Sequence, residues 1–167
     1  MDPIRYQIIP RTLVIIENGN DILMIRRNRK DRFGFGKMNG VGGHIEQGED
    51  PTESAIREVK EETGLSIQEM ELIAIFFIDI GNNPGIGLFV YKGKTDTRKL
   101  ICSDEGKTVW VNKDSIHSQK DLIKDFPFLM EIARNHQNGS KPVIGKYFYD
   151  ENGEMRIVIN RQGADRI

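Results

Sequence analysis

Apolar positions cluster near the start of the chain and fall into helical spacing further on. Ile8 to Ile16 is apolar and partly β-branched, and it ends at Glu17-Asn18-Gly19-Asn20. A second apolar run, Ile22 to Ile25, follows. Two such runs around a turn of that composition predict a β-hairpin. Arg26 to Met38 is rich in charge and carries Gly34 and Gly36, so it reads as a loop. Gly40, Gly42 and Gly43 punctuate a short extended piece. Asp50-Pro51-Thr52-Glu53 then predicts a helix start: Asp50 caps, Pro51 suits the first turn and Glu53 completes a capping box. The helix is expected to stop at Gly64, with Ala55, Ile56 and Val59 on one apolar face.

Ile67 to Ile80 and Ile86 to Tyr91 are expected to pair around Gly81-Asn82-Asn83-Pro84-Gly85. Thr108 to Val111 predicts a further strand, and Leu122 to Ala133 a second amphipathic helix. Val143 to Tyr149 and Met155 to Ile159 predict a closing hairpin around Asn152-Gly153. Strands thus outnumber helices, which predicts an α+β fold or an α/β/α sandwich in one domain.

Composition narrows the classes. The chain has 167 residues, enough for one domain with a real core. A formal net charge of −1 gives no whole-protein attraction to a nucleic acid polymer or an anionic membrane. The single cysteine, Cys102, rules out an internal disulfide and a cysteine-rich zinc site, and a reduced, cytoplasmic setting is expected. Met1-Asp2-Pro3-Ile4-Arg5 lacks the order of a signal peptide, and Leu13 to Ile16 is far short of a membrane span. Neither a membrane partner nor a polymer partner is therefore expected, and nothing in the pattern fixes an oligomeric state.

The chemistry concentrates in Gly43 to Leu65, GHIEQGEDPTESAIREVKEETGL. Glu58, Glu61 and Glu62 stand at i, i+3 and i+4, so they share one side of the helix. Like charges at that spacing cost roughly 0.2–0.5 kcal/mol per pair. Taken alone, such a cluster reads as a solvated acidic face partly offset by Arg57 and Lys60. The preceding glycines change that picture, because they let backbone carbonyls approach a ligand closely. Carboxylates, a carbonyl and waters are the ligands that Mg²⁺ or Mn²⁺ prefers, and a bound dication removes the repulsion. Arg57 is within reach of Glu49 in the preceding loop, which would hold loop and helix in register.

These residues resemble a known family. Gly43, Glu49, Arg57, Glu58, Val59, Glu61, Glu62, Gly64 and Leu65 match every fixed position of the Nudix box. With residue frequencies near ~7% each, a chance match is on the order of 10⁻⁹ per start position. The resemblance implies a Nudix-type α/β/α sandwich with a mixed sheet and a loop–helix–loop metal site. It implies hydrolysis of a nucleoside diphosphate linked to another group, with bound Mg²⁺ or Mn²⁺ shielding phosphate charge and activating a water. It assigns Glu58, Glu61 and Glu62 as metal ligands, joined by the carbonyl of Gly42. Glu105 stands where the family often supplies a late acidic ligand, though by itself it is equally a surface acid. The family places its general base variously: Glu61 is the expected base, Glu105 the second candidate. Gly43, Glu49 and Arg57 take supporting roles.

Within the family the chain is similar to enzymes that hydrolyse oxidised purine nucleoside triphosphates such as 8-oxo-dGTP to monophosphate and pyrophosphate. Met38-Asn39-Gly40-Val41-Gly42-Gly43 stands where those enzymes carry Trp-Asn before Gly-Phe-Gly-Gly. The resemblance makes Asn39 a base-edge partner, Phe33 an aromatic of the base pocket, Thr12 a polar residue of its floor and Arg27 a phosphate contact. Each also has a plain reading: a loop anchor, a buried strand threonine, one more charge in Arg26 to Arg32. Those enzymes carry two adjacent acids ahead of a Phe-Pro pair. Here only Asp121 lines up, and Leu122 replaces its partner. His44 adjoins the box and reads as a surface histidine, and Trp110 as a core residue. Other Nudix substrates (ADP-ribose, a sugar nucleotide, a dinucleoside polyphosphate) and a nucleotide-sensing module without turnover remain alternative readings.

Overall fold

In chain order the elements are β1 (Ile8–Asn18), β2 (Asp21–Arg27), β3 (Met38–Asn39), α1 (Pro51–Thr63), β4 (Met70–Asp79), β5 (Gly85–Lys94), β6 (Gly106–Asn112), a 3₁₀ turn (Lys113–Ser118), α2 (Phe126–Asn135), β7 (Val143–Tyr149) and β8 (Met155–Ile159). The structure is a computed structural model that describes residues 5–28, 36–67, 69–81, 83–101 and 106–160. Phe33, Cys102 and Glu105 lie outside the described residues.

The centre of strand β1 is buried on both faces, which explains the apolar run from Leu13 to Ile16. Leu13 and Ile15 face one core cluster, while Val14 and Ile16 face the other. β1 pairs with β5 in parallel and with β2 antiparallel. The mixed sheet runs β3-β2-β1-β5-β4-β7-β8, with β6 also pairing with β2. One cluster lies under α2 and includes Phe76, Phe126, Leu129 and Met130. The other lies under α1 and includes Ala55, Val59, Leu65 and Tyr91. Helices on both faces of a mixed sheet are the predicted sandwich. No helix among the described residues is long and apolar enough to cross a membrane.

Three expectations need correction. Ile56 is 51% exposed and does not share the buried face of Ala55 and Val59; Ser54 and Glu62 take that space instead. β4 begins at Met70 rather than Ile67, and Ile67 packs against the cluster under α1 from outside the strand. The second helix begins at Phe126 rather than Leu122. Its lost residues are spent on β3: Met38 N donates to Asp121 O (2.7 Å), and Ile123 N donates to Met38 O (3.0 Å). Met38 itself is a buried core residue. Trp110 packs partly against the cluster under α1, with the Arg98 guanidinium 5.0 Å from its ring centroid.

Candidate active site

Helix α1 is delimited as its sequence requires. Asp50 Oδ1 accepts from Thr52 N (2.6 Å) and Glu53 N (2.9 Å), and Glu53 Oε2 accepts from Asp50 N (2.9 Å). Gly64 ends the helix at φ 77°, its N–H bonded to Lys60 O. This fixes the rotation of the helix and hence where its glutamates emerge.

Arg57 gathers the outer acids. Its Nε donates to Glu49 Oε1 (2.6 Å) and its Nη2 to Glu49 Oε2 (2.9 Å), a bidentate pair that ties loop to helix. Nη2 also donates to His44 O (3.0 Å), while Nη1 reaches Glu58 Oε1 (2.8 Å) and Glu61 Oε2 (3.2 Å). The guanidinium therefore touches the acidic side as well as the loop. Its hydrogen bonds hold the Glu49 carboxyl well below the ordinary range, at about 2. Glu58 shows the opposite balance: burial pushes its carboxyl up, Arg57 pulls it back, and Glu61 adds to the rise.

Glu62 turns inward and is 1% exposed. Its Oε2 accepts from Gly42 N (3.0 Å), and its Oε1 accepts from Arg27 Nη1 (3.3 Å). Arg27 Nη2 donates to Gly42 O (2.7 Å), so one arginine holds both a carboxylate and the carbonyl named as ligands. Two glycines make this possible. Gly42 sits at φ 147° with the Thr12 carbonyl where a β carbon would stand, leaving no room for a side chain. The Glu58 carboxylate occupies the space that a side chain on Gly43 would take.

The donor set is chemically suited to a hard dication: three carboxylates and a carbonyl, two of the acids largely withdrawn from water. The rise at Glu58 comes mainly from burial, with a smaller part from the charge of Glu61, and a cation beside it would favour the ionised form. The side chains do not converge, however. Among the described residues no three acids, histidines or cysteines stand grouped to hold an ion. Glu58 and Glu61 meet on Arg57, and Glu62 on Arg27, so these arginines supply the positive charge. Holding a cation requires those carboxylates to exchange partners.

Beside the acids lies a cleft of about 400 Å³. Residues 41–45 run along β1, with Thr12 N bonded to Gly43 O (2.9 Å) and Val14 N to Val41 O (2.7 Å). That pairing brings Thr12, Arg27, Asn39, Gly42 and Gly43 into one cleft wall. Ile78, Ile86, Leu88 and Ile123 supply its apolar surface, and His44 is exposed at its edge. Asn39 Oδ1 accepts from Gly40 N (2.8 Å), which orients the amide. The hydroxyl of Thr12, 3% exposed, meets no partner among the described residues.

Asp121 is not in the cleft. It is half-exposed, and its Oδ2 accepts from Arg26 Nη1 (3.0 Å). Its backbone bond to Met38 turns that side chain outward. The acid in the cleft is Asp125, four residues later. The signal for Asp125 was its place just before Phe126-Pro127, where an aspartate ordinarily reads as a helix cap. It makes no cap bond; instead Tyr147 Oη donates to its Oδ2 (2.8 Å). Nothing in the sequence pointed to Tyr147.

A fold, a capped acidic helix and an adjoining cleft of this kind agree with what known proteins show. A family model for the Nudix domain matches residues 8–132. An oxidized purine nucleoside triphosphate hydrolase of Danio rerio is 30% identical over 127 residues, 74% of this chain and 80% of that protein. A methanol dehydrogenase activator of Bacillus methanolicus is 32% identical over 118 residues, 68% of this chain and 61% of that protein. The crystal structure of a mutator MutT protein from Bacillus halodurans superposes with a TM-score of 0.75 at 23% identity. It covers 92% of this chain and 98% of that one, a likeness of fold. The chain belongs to the Nudix hydrolase family, whose members hydrolyse phosphoanhydride bonds and generally use divalent metals.

Proposed function

We propose that the chain hydrolyses an oxidised or noncanonical purine nucleoside triphosphate, such as 8-oxo-dGTP, to the monophosphate and pyrophosphate. One observation carries this reading: Gly42 and Gly43 belong to both halves of the site. They line the cleft, and they carry Glu62 on the Gly42 amide and Glu58 against Gly43. A base seated in the cleft therefore presents its phosphates to the acidic helix. The cleft suits a purine, since its apolar surface is joined by polar groups that fix orientation, Thr12, Asn39 and Asp125 among them. The name of the Danio rerio relative points the same way.

Glu58, Glu61, Glu62 and the Gly42 carbonyl would hold Mg²⁺ or Mn²⁺. Such an ion, when bound, shields phosphate charge and acidifies a water. The rest falls to the chain itself. Arg57 keeps Glu49, Glu58 and Glu61 in register. Arg27 lines the cleft while paired with Glu62, and would offer a phosphate a cation there if that pairing were exchanged. Glu61 is the most exposed of the three helix acids, at 60%, and serves as general base; Glu105 is the second candidate. The test is pyrophosphate release with Mg²⁺ across a panel of purine nucleotides, ADP-ribose and sugar nucleotides, with product identification. Monophosphate and pyrophosphate from an oxidised purine triphosphate are expected. Preferential cleavage of ADP-ribose or a sugar nucleotide overturns the substrate assignment, and nucleotide binding without turnover favours a sensor.

A further inference from the structure

We propose that Tyr147 is the positioning residue for Asp125, and that its hydroxyl makes the cleft select a purine edge with two adjacent N–H donors over one that pairs an acceptor with a donor. The proposal rests on the purine reading above. Tyr147 lies on β7, beyond residue 132 where the family match ends.

The first observation is an aspartate that forgoes its ordinary work. Asp125 holds the N-cap position of α2 yet makes no cap hydrogen bond. Its backbone is already in the helical region and Pro127 offers no N–H to cap, so the carboxyl is free of the helix end. The carboxyl lines the cleft and takes its hydrogen bond from Tyr147 instead. The second observation is that Tyr147 cannot readily turn away. It is buried, and its ring packs on Phe76 with centroids 5.2 Å apart. Phe76 packs in turn on Phe128 of α2 at 5.8 Å. β7 is held in register beside β4, with Ile78 opposite Tyr147. Three elements thus set one hydroxyl against one carboxylate oxygen.

The chemistry follows from the protonation state. Burial pushes the Asp125 carboxyl up, towards its neutral form, and the phenolic donor opposes that rise. Burial and the charge of Asp125 push the Tyr147 hydroxyl far above its ordinary range, so it remains a donor. An ionised carboxylate only accepts hydrogen bonds. Its two oxygens match the adjacent N1–H and N2–H of a 2-amino-6-oxopurine. A neutral carboxyl donates once and accepts once, which matches the N1 acceptor and N6–H donor of a 6-aminopurine. Tyr147, by favouring the ionised form, favours the first edge. Arg11, Arg27 and His44 also line the cleft and complete its charged groups among the described residues.

The test compares kcat and KM for 8-oxo-dGTP and dATP, with Mg²⁺, in the wild type and Tyr147→Phe, alongside thermal melting. The variant keeps the ring on Phe76 and removes only the hydroxyl. The expected result is a fall of about tenfold in the 8-oxo-dGTP to dATP ratio of kcat/KM, carried mainly by KM, as fits one lost charge-assisted hydrogen bond. An unchanged ratio, or an equal loss on both substrates, overturns the proposal. Asp125→Asn, which keeps the shape but pairs a donor with an acceptor, is expected to lose the preference too. A preserved preference there overturns the proposal even if Tyr147→Phe fails to fold. A wild type that turns over neither purine fails before any variant is made, and it overturns the purine reading together with this one.

Discussion

The acidic helix and the cleft beside it treat buried polar groups in opposite ways. Around α1 every acid of the cluster is answered from within the protein: Glu49 of the preceding loop, Glu58 and Glu61 by Arg57, and Glu62 by Arg27 and the Gly42 amide. In the cleft the Thr12 hydroxyl meets no partner among the described residues, and Asp125 makes no cap bond to α2. A buried hydroxyl left unpaired costs about 1–3 kcal/mol, so a chain keeps one where something other than stability is served. The helix side is folded around its own counter-charges and must exchange them to bind a cation. Substitutions should therefore separate the two regions: at the buried Glu62 activity and stability are coupled through Arg27, and in the cleft they run in opposite directions.

The largest expected effect is on turnover. Glu61→Gln and Glu62→Gln should each lower kcat with Mg²⁺ by roughly a hundredfold or more, the scale of lost acid–base and charge stabilisation. Glu62→Gln should also lower the melting temperature, because it frees Arg27 and weakens the bond to Gly42 N, whereas exposed Glu61→Gln should not. Full activity in either variant would remove the acidic helix from the chemistry. Next in size is Thr12→Val. It should raise stability, by up to about 1 kcal/mol in chemical denaturation, since an unpaired hydroxyl is replaced by a methyl. The same variant should raise KM for the purine nucleotide several-fold. A loss of stability would mean that the hydroxyl is paired in the free protein and the contrast between the regions is false.

The smallest effect is a pH dependence. The Glu49 carboxyl titrates at about 2 in the folded chain against 4.5 ordinarily. Its contribution to stability is present above about 4.5 and is lost as pH falls towards 2. Melting temperatures between those values should thus fall less steeply for Glu49→Gln than for the wild type. Parallel curves would show that the Arg57–Glu49 pair does not couple the loop to α1.

Some of this was legible along the chain because it is local. The capping box at Asp50 and Glu53, the stop at Gly64 and the hairpin from β7 to β8 each depend on residues a few positions apart. The acidic repeat in α1 is local too, since helical spacing alone brings Glu58, Glu61 and Glu62 to one side. Its inner and outer grading was not, because the burial of Glu62 depends on where Gly42 and Arg27 fall in space. The start of α2 was misplaced for the same reason: residues 121 to 123 could form helix, but β3 takes their backbone bonds.

By itself, then, the sequence determined the strand and helix types, the caps and the motif that marks a phosphoanhydride hydrolase, all through short-range geometry and residue chemistry. Only the tertiary structure decided which acid enters the cleft. Asp121 and Asp125 are four residues apart and chemically identical. One is drawn outward to Arg26, and the other is drawn inward by Tyr147, a partner 22 residues further along the chain. Hydrogen-bond partners that distant leave no periodic trace, because they meet only when the sheet brings β7 alongside β4.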